Sequence, residues 1–307
     1  MINVSNKVCV IGAFHRDKIL KVVAHAFPYR SNPVVSSTQL GGVGLNIARS
    51  LWTGVNNGQF KFDIKFVTAL SKFDEDLKKW LQDCGIESCF TQIDKPSPNY
   101  TAILDQNGKL LIGAADMRLY DSVEASDLIS MLPANPMAVI FDANFPDRTM
   151  FEVVDNLPEE TKLLAVGTSV QKVERFLPLL RRLDALVVNR SEAKKLENDH
   201  DNVVPLASSL VDRLTRSNSC VLVSDGAELA ALACGNEVVS CRPPRIELTS
   251  ENGAGDAMAA AFFQSFLRKC SGNSSFFSDS RELAGLLESV LRAGASYAAP
   301  EMKLRNA

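Results

Sequence analysis

The chain has 307 residues, 46% of them hydrophobic and 22% charged, with 33 Lys and Arg against 36 Asp and Glu. A chain of ~300 residues buries roughly three quarters of its unfolded surface, enough for one large α/β domain or two small ones, and this composition excludes disordered and fibrous classes. A formal charge of −3 offers no electrostatic case for a nucleic-acid backbone or an anionic membrane, so the expected partner is a small molecule.

No stretch approaches the ~20 apolar residues that span a bilayer. The opening MINVSNKVCVIGAF lacks a basic head before a long apolar run, and the expected setting is cytoplasmic. Cys9, Cys84, Cys89, Cys220, Cys234, Cys241 and Cys270 are scattered and never form a C-x-x-C pair, which suggests neither a disulfide framework nor a zinc site and predicts that most are reduced packing residues. His15, His25 and His200 are too dispersed for a histidine-rich metal centre. G-x-S-x-G and H-E-x-x-H are both missing, so hydrolase and metalloprotease readings drop out.

In chain order, VCVIGAF at 8–14 reads as a strand buried on both faces. Segment 17–40 is β-rich and alternating, 45–52 has helical spacing, 63–70 is a second apolar strand, and 74–84 is helical again. Segment 90–115 is once more β-rich, with Asn107-Gly108 between two alternating runs as a hairpin signal. Apolar strands at 137–143, 162–166, 184–189 and 220–226 then alternate with helical segments at 150–157, 173–183 and 204–214, and a long helix is expected over 280–298. This alternation predicts a doubly wound, mostly parallel α/β sheet flanked by helices, in one domain over 1–307. The interrupting segments, about 17–40 and 90–118, either form a small β lid over a ligand or merely extend the edge of the main sheet.

Three motifs carry chemistry. Gly253-Ala254-Gly255-Asp256 leads straight into a helix, where unpartnered N–H groups at the positive end of the helix dipole can hold a phosphate. Asp256 would there either cap the helix or accept a proton from a substrate hydroxyl. Gly41-Gly42-Val43-Gly44 before another helix lets a ligand approach the backbone, with Asn46 offering an amide, or is only a tight loop. It does not complete G-x-G-x-x-G, and no G-x-x-x-x-G-K-S/T occurs. Asn189-Arg190-Ser191-Glu192 ends a strand, so that Asn189 and Glu192 either face the crevice at the carboxyl ends of the strands or cap the following helix. Asp17, at the exit of the first strand, is a ligand carboxylate or a solvated loop residue.

Taken jointly, these motifs in this order closely resemble the ribokinase-like (PfkB) carbohydrate kinase family over essentially the whole chain. Within it, Ser31-Asn32-Pro33, Gly41-Gly42-Val43, Tyr100 to Asp105, Ala115-Asp116-Met117 and Phe141-Asp142-Ala143-Asn144 look most like pseudouridine kinases. The resemblance implies a ribokinase-like fold with a β lid and an ATP- and Mg2+-dependent kinase that phosphorylates the 5′-hydroxyl of pseudouridine. It implies Asp256 as the base and Gly253, Ala254 and Gly255 as the anion hole. Asp17, Gly41, Gly42 and Asn46 would hold ribose, while Asn32, Tyr100, Thr101, Asp116 and Asn144 would read the nucleobase. Asn189, Glu192, Ser224 and Gly226 would place the triphosphate, with Glu192 reaching magnesium through water, and the lid would pair two copies into a homodimer. Three positions depart from the family pattern: Thr249-Ser250-Glu251-Asn252, which replaces D-T-x and leaves potassium an open requirement; His15, which stands where Asn is usual; and Pro98-Asn99 before Tyr100. Two rival readings are a PfkB-type kinase for another nucleoside or sugar and a catalytically weak nucleoside-binding regulatory protein.

Overall fold

The computed structural model describes residues 6–58, 61–246, 253–271, 277 and 279–298. The first strand, β1 (Lys7–Ile11), is followed by β2 (His15–Val22), β3 (Val34–Gly41), helix α1 (Val43–Asn56), β4 (Asp63–Ser71), α2 (Glu75–Asp83) and β5 (Glu87–Ile93). A hairpin follows, β6 (Asn99–Leu104) and β7 (Leu110–Asp116), then α3 (Ala125–Met131), β8 (Ala138–Asp142), α4 (Asp147–Asp155) and β9 (Lys162–Val166). The remaining elements are β10 (Ala185–Asn189), α5 (Arg190–Leu196), α6 (Val203–Arg213), β11 (Cys220–Ser224), β12 (Ala230–Cys234), β13 (Glu237–Cys241), α7 (Ala254–Ser271) and α8 (Ser280–Ala298).

A nine-stranded sheet runs β13-β12-β11-β10-β9-β8-β1-β4-β5, parallel throughout except that β12 runs opposite to its neighbours β11 and β13. Its central strands are buried because helices cover both faces, which is why they read as unbroken apolar runs. One core gathers Ile11, Phe141 and Leu186 under the helices around α3 to α6. The other gathers Phe66, Leu222 and Phe262 under α1, α7 and α8. The segment 173–183, expected to be α-helical, is a 3-10 helix over Val173–Arg182 that contains Pro178, a residue that removes a backbone donor from the interior of a helix.

A separate four-stranded sheet runs β3-β2-β6-β7. The expected interrupting segment therefore divides, since residues 90–93 belong to β5 at the edge of the main sheet and only β6 and β7 join β2 and β3. The Asn107-Gly108 turn is present, with Gly108 at φ +87°, but it is longer than a two-residue loop: the Asp105 carboxylate accepts from Asn107 N and Lys109 N at 2.8 Å each. Arg16, at the root of β2, pairs with Asp74 (3.0 Å) and Asp76 at the start of α2, and Ser97 also donates to Asp74. The smaller sheet is thereby tied to the main body at both its chain entries.

Most of the cysteines are reduced, as expected, but two form a pair that the sequence did not suggest: Cys220 and Cys234 are disulfide-bonded. Strands β11 and β12 run antiparallel in a register that sets these residues directly opposite, with Cα atoms 4.2 Å apart, the close spacing of facing residues in an antiparallel pair. Cys9, Cys84, Cys89, Cys241 and Cys270 are free. No helix among the described residues is long and apolar enough to cross a membrane.

Candidate active site

The carboxyl ends of β1, β8, β9, β10 and β11 converge with the starts of α1 and α7, the crevice where open α/β sheets take ligands. At its centre lies Asp142, buried at the end of β8. Its Oδ2 accepts from Ala13 N (2.7 Å) and Gly44 N (3.0 Å), and its Oδ1 from Asn144 N (2.9 Å). One carboxylate thus binds the loop after β1, the first turn of α1 and its own loop into a single unit. Tyr120 adds a second clamp, with its hydroxyl accepting from Phe14 N and donating to Phe14 O at 2.8 Å each. Asp142 belongs to the Phe141-Asp142-Ala143-Asn144 segment of the resemblance and Tyr120 to no motif, and for both only the fold discloses their role.

Helix α1 begins at a backbone that only glycine tolerates. Gly42 has φ +116°, and a β-carbon there would stand 2.1 Å from Ala13 O. At Gly41 a β-carbon would stand 2.2 Å from Asp17 Oδ2, so the missing side chain makes room for that carboxylate. His15 Nδ1 lies 2.9 Å from Asp17 Oδ1, yet both atoms are buried without an aligned hydrogen-bond partner among the described residues. These two buried polar atoms have bonding capacity to spare.

The two readings of Asp256 are separated by its partner. It occupies the first turn of α7, but its Oδ2 accepts from Asn46 Nδ2 of α1 at 2.7 Å, with no bond to its own helix N–H groups among the described residues. Gly253 precedes the helix at φ +88°, and Ala257 N bonds to Gly253 O, which leaves the N–H groups of residues 254–256 without intrahelical partners. Burial pushes the Asp256 carboxyl up to about 6; the Asn46 bond opposes this, and the nearby charges of Asp142 and Asp17 add to it. A carboxylate with this pKa is ionised at neutral pH and still basic enough to take a proton. Residues Ser250 and Asn252, on which the potassium question turns, lie outside the described residues.

Asn189 and Glu192 form a capping box: Asn189 Oδ1 accepts from Glu192 N (3.0 Å) and Glu192 Oε2 accepts from Asn189 N (2.9 Å). Capping does not exhaust Glu192. It is buried, desolvation raises its carboxyl to about 7, and the charge of Asp256 contributes to the rise. An open cavity of about 510 Å³ is lined by Thr168, Gln171, Asn189, Glu192, Asp225 and Gly226, a volume suited to a nucleotide-sized ligand. Ser224 ends β11 beside this wall. The loop 168–171 went unread in the sequence because nothing but its position after β9 distinguishes it.

Two carboxyls lifted by burial across one crevice are the environment a cation relieves. No group of three or more His, Cys, Asp or Glu among the described residues could ligate a metal alone. Glu192, a carboxylate on the wall of the cavity, is a hard oxygen donor of the kind that suits magnesium held otherwise by water and phosphate oxygens.

The expected base-reading residues do not all converge. Tyr100 lies opposite Asp17 in the β2–β6 register, where burial and that carboxylate raise its phenol, and its hydroxyl packs over Gly113. Thr101 sits one position along, between Lys18 and Ala114. Asn144 is buried, and its Oδ1 accepts from Lys172 Nζ at 2.6 Å. Asn32 is engaged elsewhere: its side chain closes its own loop through Phe27 N, Phe27 O and Arg30 O. Asp116 is bound by Arg118 (2.6 and 2.9 Å), which holds its carboxyl down at about 2.

Comparison with known proteins agrees with this geometry. Residues 5–298 match the model of the pfkB family carbohydrate kinases. The structure resembles a carbohydrate kinase from Agrobacterium tumefaciens (25% identity, TM-score 0.71, 96% of this chain and 93% of that one). It also shares its fold with ribokinase from Giardia lamblia (15% identity, TM-score 0.76, 95% and 92%). A stretch of 192 residues is 24% identical to a pseudouridine-metabolizing bifunctional protein of Schizosaccharomyces pombe, covering 61% of this chain and 25% of that longer protein. The chain belongs to the pfkB family of carbohydrate kinases, phosphotransferases that act on hydroxyl groups.

Proposed function

We propose that the chain transfers the γ-phosphoryl group of ATP to the 5′-hydroxyl of pseudouridine, giving pseudouridine 5′-phosphate. The observation that carries the transfer is the Asn46–Asp256 hydrogen bond, because it turns a helix-start carboxylate away from capping and toward the crevice. The hydroxyl oxygen attacks the γ-phosphorus, the bond from that phosphorus to the bridging oxygen breaks, ADP leaves with the electron pair, and the hydroxyl proton passes to Asp256. The N–H groups at Ala254, Gly255 and Asp256 stabilise charge on the phosphoryl oxygens. Asp17, Gly42 and Asn46 hold ribose hydroxyls. Asn189, Glu192, Ser224 and Gly226 place the triphosphate. Magnesium, when bound, supplies charge neutralisation across the phosphates.

The choice of pseudouridine rests on the named activity of the Schizosaccharomyces pombe relative and on Tyr100, which shares the Asp17 face of the lid, with the amide N–H groups of Asn144; Thr101, next to Tyr100 in β6, projects from the opposite face, and Asn32 and Asp116 are committed elsewhere. A site that satisfies the extra imide N–H of pseudouridine leaves a polar group unpaired with uridine, which costs on the order of 1–3 kcal/mol. The four-stranded sheet acts as the lid. Its two edge strands expose Val34, Val35, Leu111 and Ile112, the surface through which a cytoplasmic homodimer would form; a monomer at all concentrations in sedimentation would contradict that pairing.

The test is ATP-to-ADP turnover with magnesium across pseudouridine, uridine, cytidine, adenosine, ribose and fructose, with and without potassium, and product identification by mass. Selective phosphorylation of pseudouridine is expected. Turnover of a free sugar alone would remove the nucleoside assignment, and silence with ligand binding intact would favour a binding protein.

A further inference from the structure

Lys172 follows the loop 168–171 that lines the nucleotide-sized cavity, just before the 3-10 helix at Val173. Its side chain is mostly buried, which lowers its pKa through desolvation. Its Nζ donates to Asn144 Oδ1 at 2.6 Å, and no carboxylate of the described residues lies within ion-pair distance of it. This is an expensive arrangement, since the charges of Asp142 and Asp121 act on the desolvated ammonium only from beyond ion-pair distance and its one direct partner is an amide. Neighbouring cations are treated differently. Lys162 meets Asp184 at 2.8 Å, and Arg175 meets Asp121 at 2.8 Å while also donating to Asn144 O at 2.6 Å.

The position is held firmly. Arg175 and Asp142 fix the backbone of Asn144, and Asn144 fixes the ammonium. The same Asp142 holds Gly44 at the start of α1, the helix whose Asn46 holds Asp256. Lys172 therefore stands on the seam between the cavity wall at 168–171 and the Asp142 unit that carries the proton acceptor.

We propose that Lys172 is a further catalytic residue, whose ammonium contacts the γ-phosphoryl group of ATP and completes its missing charge pair on the transferring phosphate. The assignment rests on the kinase reading above, but not on the identity of the acceptor. A charge-assisted hydrogen bond to phosphate is lost on truncation, and a loss on the order of 10- to 100-fold is expected.

The experiment measures ATP and ADP dissociation constants by calorimetry, without acceptor, for wild type, Lys172→Met and Lys172→Arg. Thermal unfolding is recorded for each, and turnover is measured with whichever acceptor the wild type uses. Lys172→Met should weaken ATP about tenfold or more and ADP less than about threefold, and Lys172→Arg should recover most of the difference. Lys172→Met removes a buried charge and should fold at least as stably as the wild type. Equal loss for ATP and ADP, or none for either, would overturn the proposal, as would a variant that loses only acceptor affinity. If the wild type binds ATP but phosphorylates no acceptor, the kinase reading fails while the ATP-to-ADP ratio still decides the role of Lys172.

Discussion

Replacing Asn46 by Ala isolates the interaction on which the proton-transfer assignment depends. Alanine suits the interior of α1, so the helix is retained while the 2.7 Å bond to Asp256 Oδ2 is lost. A hydrogen bond to a charged group contributes about 1.5–3 kcal/mol, and about 1.4 kcal/mol corresponds to one pKa unit. The Asp256 carboxyl, already at about 6 through burial, should therefore rise by about one to two units when the bond that opposes burial is removed. At pH 7 its ionised fraction would fall from about nine tenths to between about one half and one tenth, so kcat at saturating acceptor should drop about two- to tenfold, the lost ribose contact of Asn46 showing in KM instead. Above about pH 9 the loss should largely disappear, because the carboxylate is again ionised. The assay is a discontinuous product measurement by mass over pH 5.5–9.5 with saturating magnesium and saturating acceptor. An acid limb that stays where it is in the wild type, or a loss of equal size at every pH, would refute the link between Asn46 and the ionisation of Asp256.

Two further predictions concern stability and redox state. Glu192 has a folded pKa of about 7 against an ordinary value of 4.5, so the folded state binds the extra proton between these values and stability falls as pH rises through that window. Glu192→Gln keeps a capping acceptor and removes the charge; it should match the wild type near pH 4.5 and exceed it by up to about 3 kcal/mol above pH 7, read by urea unfolding at the two pH values. An unchanged difference between the two pH values would contradict the buried-charge account. With Cys220 and Cys234 joined, thiol titration of the unreduced, denatured chain should count five groups, whereas seven would place both cysteines in the reduced state first expected.

How much was legible in advance follows from how local each signal is. The central strands could be read because burial on both faces leaves an apolar run with no polar alternation, as in β8 and β11. Strand β12 could not, because Ala230–Cys234 is an Ala-rich stretch with little strand preference, and its omission concealed the Cys220–Cys234 pairing. The helix start at Gly253 to Asp256 was visible as small residues before a helical run, but its partner Asn46 is 210 positions distant and only the packing of α1 on α7 brings them together. Asn32 and Asp116 misled for the opposite reason. Short polar side chains in loops satisfy neighbouring groups first, Asn32 its own loop and Asp116 the arginine two residues on. Lys172 carries no sequence signature, and the Phe141 to Asn144 segment marked Asp142 without disclosing its bonds, since the significance of both arises from several strand ends meeting at one crevice.

The most direct test of the central claim is Asp256→Asn, compared with the wild type in single-turnover phosphoryl transfer from ATP to pseudouridine, with binding of both ligands measured separately. Asparagine preserves the size of the side chain and an oxygen acceptor for Asn46 but cannot take the hydroxyl proton. The account predicts binding within a few-fold of wild type and transfer slowed about 10²- to 10⁴-fold. Transfer at a near-normal rate would contradict Asp256 as the base.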